Sequence, residues 1–159
     1  MSLGAISRRL GRGAVGGVVA TLPMSAVMEA SRRAGFFRRQ PPEQITDRLV
    51  GAATAGSGPG RPQRRALSIA GHFGVGAGLG AAYAMLPRPR RWGARFMLGA
   101  AFGLGVYTIS YTGLLPALAL MPPPAQDRSG RQLTMLGAHL VFGATLALLL
   151  PAPEPGNRR

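Results

Sequence analysis

Few residues in this chain have side chains able to do chemistry where chemistry would be informative. Two histidines, His72 and His139, one glutamate, Glu29, and the hydroxyls of Tyr111 and Thr112 fall inside or at the edge of long apolar runs. Imidazole donates and accepts hydrogen bonds and carries a proton near neutral pH, and a carboxylate or phenol beside it extends that range. The other constellations of chemistry are missing. Cysteine is absent, which removes disulfides and thiolate metal sites. No phosphate-binding glycine loop follows a strand, and no Ser-His-Asp or His-Glu-x-x-His arrangement occurs. Two histidines and one carboxylate are fewer ligands than a metal centre usually holds. The sequence therefore predicts no catalytic residues, no metal and no cofactor, and a protein that is not an enzyme. It leaves one candidate polar cluster: Glu29, His72, Tyr111, Thr112 and His139.

The elements that would carry these groups are read from where charge is missing. Gly13 to Met28 is uncharged and its apolar character runs on past Glu29 to Ser31, and Ala66 to Pro87, Phe96 to Gln126 and Gln132 to Pro153 are uncharged. A helix rising about 1.5 Å per residue needs about 20 residues to cross a bilayer core, and each run supports that length. The expectation is an all-α integral membrane protein with a four-transmembrane-helix bundle as a single domain, residues 1–151. Its spans fall at about 13–31, 66–87, 96–120 and 132–151, and a Pro-rich tail, 152–159, is disordered. The third run is long enough that it either tilts or leaves the membrane near Pro116. Pro23 should kink the first. Ser7-Arg8-Arg9 ahead of Gly13 to Met28 has the look of a signal or twin-arginine leader, but Glu29-Ala30-Ser31-Arg32 is a poor cleavage site, so a retained helix is expected.

Low hydropathy is the objection to spans so rich in glycine and alanine. The same residues permit close helix packing in lipid. Gly13 and Gly17, Gly76 and Gly80, and Gly99 and Gly103 repeat at i, i+4, and Gly143 follows His139 by four. The second and fourth runs also share a pattern: His, three residues, Gly-Ala, one residue, Leu, then Gly or Ala, starting at His72 and at His139. The two runs point the same way, which implies two parallel helical-hairpin repeats. His72, Gly76 and Gly80 share one helix stripe, as do His139, Gly143 and Ala147, so each histidine faces a neighbouring helix about 9–10 Å below one membrane face. Glu29, Tyr111 and Thr112 approach the same leaflet. The plainer reading of these groups is hydrogen-bonded packing between helices, against a solute or proton site. Glu29 has an equally plain one, pairing with Arg32 or Arg33 at i+3 or i+4.

All the positive charge is arginine, nineteen residues without a lysine, against five acidic groups. The arginines sit between apolar runs rather than along one element, so nucleic acid is not an expected partner. The partners expected are the lipid bilayer and a second copy or another membrane protein. Nine arginines belong to the N-terminus, second loop and C-terminus, and ten to the first and third loops. The four crowded between Arg88 and Arg95 place both termini in the cytoplasm. A short amphipathic helix is expected at about 42–54, with Pro and Glu43 suited to its first turn and Ile45, Leu49 and Ala53 on one face. It lies on the membrane surface or over the loop end of the bundle.

Gly17-Val18-Val19-Ala20-Thr21-Leu22-Pro23-Met24-Ser25, Pro41-Pro42-Glu43-Gln44-Ile45-Thr46 and the two His-x-x-x-Gly-Ala segments together resemble small bacterial inner-membrane proteins of the YagU-like kind, over most of the chain. The resemblance implies a multi-pass helical protein of the bacterial inner (plasma) membrane with no assigned activity. A link of that family to acid tolerance would fit the paired histidines.

Overall fold

The computed structural model describes residues 2–54 and 58–152, and the predicted C-terminal tail beyond Ala152 lies outside the described residues. The described chain is all helical. Helix α1 runs from Leu3 to Arg33, α2 from Pro41 to Thr54, α3 from Arg61 to Met85 and α4 from Trp92 to Tyr107. A π-helical segment, Thr108–Leu114, continues α4 into a short turn of helix, α5, Leu115–Ala117. A 3₁₀ turn, Pro124–Gln126, precedes α6, Ser129–Leu149.

Three of these elements are long and apolar enough to cross a membrane: Leu3–Arg33, Trp92–Ala117 and Ser129–Leu149. The second expected span, α3, has the length at 25 residues but is not among them. Five glycines and His72 between Gly71 and Gly80 dilute its hydropathy. The first span starts ten residues earlier than predicted, because Arg8, Arg9 and Arg12 join the helix. Arginine is a good helix former, and only its charge had marked a boundary. Pro23 lies inside α1 without ending it. The helix stops at Gly35, whose φ of +84° closes a left-handed cap. The Phe36 N–H bonds Ser31 O and the Gly35 N–H bonds Arg32 O, satisfying two orphan carbonyls. Phe36 then rests against Gly130 of α6, and Phe37 is buried beside it in sequence.

The helices pack as α3 on α1, α1 on α6, and α6 on α4, and an edge contact between the Tyr83 and Phe102 rings joins α3 to α4. Two crossings dominate, and both are built on glycine. At the first, a Cβ placed on Gly13 would lie 2.6 Å from Ala84 Cβ, and one on Gly17 would collide with the Gly76 carbonyl. At the second, a Cβ on Gly99 would lie 2.8 Å from Ala147 Cβ, and one on Gly103 would lie 2.9 Å from the His139 carbonyl carbon. Gly80 and Gly143 occupy the same place in the two crossings, each pressed against both glycines of the facing helix. Gly13-Ala14, Gly80-Ala81, Gly99-Ala100 and Gly143-Ala144 thus open the same Gly-Ala-x-x-small stretch in all four long helices.

This geometry changes the alignment of the two hairpins. Gly13 and Gly17 correspond to Gly99 and Gly103, while Gly76, Gly80 and Ala84 correspond to His139, Gly143 and Ala147. The two histidines do not occupy equivalent places, as the sequence pattern had implied. His139 stands where the first crossing has Gly76, and His72 lies one helical turn further from its own crossing.

Helix α2 begins one residue before the predicted start and packs on α3. Asp47 on α2 pairs with Arg39 and lies 3.7 Å from Arg64 of α3, and Arg48 donates to the Ala119 carbonyl. The third span leaves its helical path after Pro116 rather than running on to residue 120: α5 ends at Ala117, and Ala119 takes a φ of 53°.

Candidate functional site

The polar groups form a column through the half of the bundle that carries α2, and its membership differs from the sequence-derived cluster. Three of the five predicted residues belong to it. His72 on α3 and His139 on α6 lie within electrostatic range of one another. The His139 Nδ1 lies 2.7 Å from the Met135 carbonyl oxygen. A carbonyl only accepts, so Nδ1 carries the proton and Nε2 is left as an acceptor in the neutral ring. His72 Nε2 is buried and has no hydrogen-bond partner among the described residues.

Tyr107 meets His139 edge-on, with ring centroids 5.8 Å apart, and stacks on Tyr111 at 5.3 Å. Tyr111 is buried, and its hydroxyl donates to Asp127 Oδ2. The Asp127 side chain is only 4% exposed, and its Oδ1 accepts from the Arg128 backbone N–H and lies 3.4 Å from Arg131 Nη1. Asp127 thereby sits just ahead of α6, where the helix dipole favours a negative charge. Gln132 holds the same turn by donating to the Pro124 and Asp127 carbonyls.

Glu29 and Thr112 stand apart from this column. Glu29 accepts from Arg32 Nε at 2.7 Å, Arg33 Nε at 2.8 Å and Gln40 Nε2 at 3.1 Å. It is the centre of a cationic collar at the end of α1, and none of these bonds reaches a histidine. Thr112 is exposed on the bundle surface and donates to the Thr108 carbonyl one turn back. Its place outside the column has a plain cause: a threonine hydroxyl satisfied by its own helix needs no partner across the bundle.

Thr112 explains the π-helical segment instead. Thr108 donates to Leu104 O, Ser110 to Val106 O and Thr112 to Thr108 O, so three hydroxyls compete for carbonyls of the regular ladder. Pro116 has no N–H to give the Thr112 carbonyl. The wider turn absorbs both effects and rotates Tyr111 towards the loop holding Asp127.

Sequence reading missed Tyr107 and Asp127. Tyr107 lies four residues from both Gly103 and Tyr111, so a helical wheel places all three on one face. Asp127 with Arg131 at i+4, immediately before an apolar helix, is a recognisable helix-start pair. The column joins α6 to α4 and to the loop before α6 by ring contacts and one hydrogen bond, and it can hold these elements in register. Among the described residues no three His, Cys, Asp or Glu side chains gather as metal ligands. No family model, curated protein or solved structure matches this chain, which leaves the glycine crossings and the polar column as the features from which its function is read.

Proposed function

We propose that the chain is a multi-pass protein of the bacterial inner membrane that acts chiefly as a structural or interaction component, as a homo-oligomer or as a subunit of a larger membrane complex. On this reading α3 is the fourth span, and α1 with α3 and α4 with α6 are two parallel hairpins of one bundle. The observation that carries the proposal is the outer face of α3. Gly71, Gly74 and Gly78 follow one another at i, i+3 and i+7, and a Cβ on any of them would meet nothing within 4 Å. The one long helix not apolar enough to count as a span by itself thus turns these glycines outward, where a facing backbone could approach as closely as Gly17 approaches Gly76. The resemblance to YagU-like proteins agrees with such a role, and no enzyme activity is part of it.

Cysteine at Gly74 or Gly78 tests the proposal in native membranes. Oxidation should link two copies, or one copy to a co-purifying membrane protein, while cysteine at the lipid-facing Ile109 should not. Monomer alone at every α3 position, with no partner recovered, would sink the proposal. The alternative from another class is a small transporter or proton-responsive channel, and the buried His72 Nε2, without a partner among the described residues and within electrostatic range of His139, is what favours it. Liposomes containing the protein that pass neither protons nor small solutes between about pH 5 and 8 would remove that alternative.

A further inference from the structure

A cleft of about 750 Å³ lies between the start of α2 and the first turns of α3, at the end of the bundle where α1 finishes and α6 begins. Charged residues line most of it: Arg39, Glu43 and Asp47 on the α2 side, and Arg61, Arg64 and Arg65 on α3. Three of these satisfy one another. Asp47 pairs with Arg39 and lies 3.7 Å from Arg64, whose Nε donates to the Pro59 carbonyl at 2.9 Å. The side chains of Glu43, Arg61 and Arg65 make no hydrogen bond or ion pair among the described residues. The undescribed residues that join the two helices, Ala55, Gly56 and Ser57, carry no charge. Glu154 follows Ala152 by two residues, and the length of α6, about 30 Å, separates that end of the bundle from this one.

The two arginines are also placed against local preference. Arg61 and Arg65 stand at i, i+4, where like charges repel, and in the first turns of a helix whose dipole disfavours cations. Gly60 at the N-cap offers no side chain, and the first turn holds no acidic residue. Natural chains break such local rules at functional sites and compensate elsewhere. Here the cleft holds groups of both signs, two guanidiniums and one carboxylate, that the chain itself leaves unpaired. A phosphodiester fits the guanidiniums through directed, charge-assisted bonds, and an ammonium fits the carboxylate. Phosphate alone would leave Glu43 facing an anion. Arg65 is the last charged residue before the uncharged run from Ala66 to Pro87, and Ile69, one turn further along the same stripe, is exposed.

We propose that this cleft seats the phosphoethanolamine headgroup of a membrane phospholipid, with its phosphate at Arg61 and Arg65, its ammonium at Glu43 and an acyl chain passing Ile69. The proposal rests on the reading of α3 as a membrane span, which sets the cleft at headgroup depth.

The test is lipid retention by the purified full chain in detergent, read by native mass spectrometry with added phosphatidylethanolamine or phosphatidylglycerol. Wild-type protein should retain phosphatidylethanolamine preferentially. Glu43→Gln should abolish that preference, lowering phosphatidylethanolamine retention by up to about fivefold, the scale of one exposed ion pair, without lowering that of phosphatidylglycerol. The Arg61→Gln, Arg65→Gln double variant should lose both lipids. Arg38→Gln removes an exposed charge outside the cleft and should change neither. Circular dichroism checks that each variant is folded. Glycerophosphoethanolamine, the headgroup without its chains, should compete poorly. Equal retention of the two lipids by wild type, an unchanged preference in Glu43→Gln, or competition by glycerophosphoethanolamine equal to that of the whole lipid would each overturn the proposal. The last of these would identify a site for a soluble zwitterion. Adducts without headgroup preference would leave the membrane reading of α3 standing, whereas absence of adducts with either lipid would count against both.

Discussion

Substitution of Gly103 by alanine should destabilise the bundle, while the same change two residues later, at Gly105, should not. The added Cβ at Gly103 would lie 2.9 Å from the His139 carbonyl carbon and 3.4 Å from Gly143 Cα, and would also meet the His139 carbonyl oxygen. Carbon atoms prefer about 3.5–4.0 Å, so α4 and α6 must part by up to about 1 Å at their closest point. Backbone cannot rotate aside as a side chain can. Overpacking of this kind costs about 1–3 kcal/mol, and the better helix propensity of alanine returns about 1 kcal/mol at most. The net expectation is a loss of up to about 2 kcal/mol. A Cβ on Gly105 meets nothing within 4 Å, so Gly105→Ala should keep only the propensity gain. Both variants share a helix and a chemical change, and only the crossing separates them. Reversible unfolding in mixed micelles, followed by circular dichroism, gives the two differences. Equal effects, or a stabilised Gly103→Ala, would refute the assignment of Gly103 to the α4–α6 contact.

Three further outcomes are expected. Tyr111→Phe removes the hydroxyl donated to the nearly buried Asp127 and should cost about 1–3 kcal/mol in the same unfolding assay, with most of that cost absent when Asp127→Asn is already present. The His72→Gln, His139→Gln double variant keeps hydrogen-bonding side chains without titration. In the structural reading it folds and retains the wild-type pattern of protease accessibility between about pH 5 and 8, whereas loss of a pH response present in wild type would transfer weight to the channel reading. Single cysteines at Arg38 and Ser129 should react with an impermeant thiol reagent from one side of the membrane, and one at Arg90 from the other; labelling of Arg38 and Ser129 from opposite sides would break the two-hairpin arrangement.

Much of the architecture was legible because charge and small residues mark it directly. Arginines bracket the helices, and Gly13, Gly17, Gly76, Gly80, Gly99, Gly103 and Gly143, picked by spacing, all stand at the two close crossings. What was not legible depends on where a side chain finds its partner. Thr112 and Glu29 share depth with the histidines, but Thr112 is satisfied by its own helix and Glu29 by arginines within the next turn and by Gln40. Asp127 read only as the end of an uncharged run, because its partner Tyr111 lies sixteen residues back across a π-helical turn that no local pattern announces. The hydropathy shortfall of α3 was visible in its composition, yet the matching histidine pattern drew it level with α6.

That histidine pattern is where sequence and geometry part most usefully. Aligned on the histidines, the hairpins give two like-placed imidazoles; aligned on the backbone contacts, His139 replaces Gly76 and Tyr107 replaces Thr21. In the first hairpin Thr21 donates back to the Gly17 carbonyl and abuts Gly76, so this level is filled by small groups and the helices close on one another. In the second, the ring of Tyr107 against the ring of His139 fills the same level with aromatic bulk. Two rings thus stand where the first hairpin has a threonine hydroxyl against a glycine. The π-helical segment begins at Thr108, the next residue, and delivers Tyr111 to Asp127. The first hairpin, lacking the rings, runs on as regular helix through Pro23 to Arg33. The polar column thus belongs to one hairpin, with His72 of the other within electrostatic range of it, and the two hairpins differ both at this level of the crossing and in the hydroxyls and Pro116 that follow it.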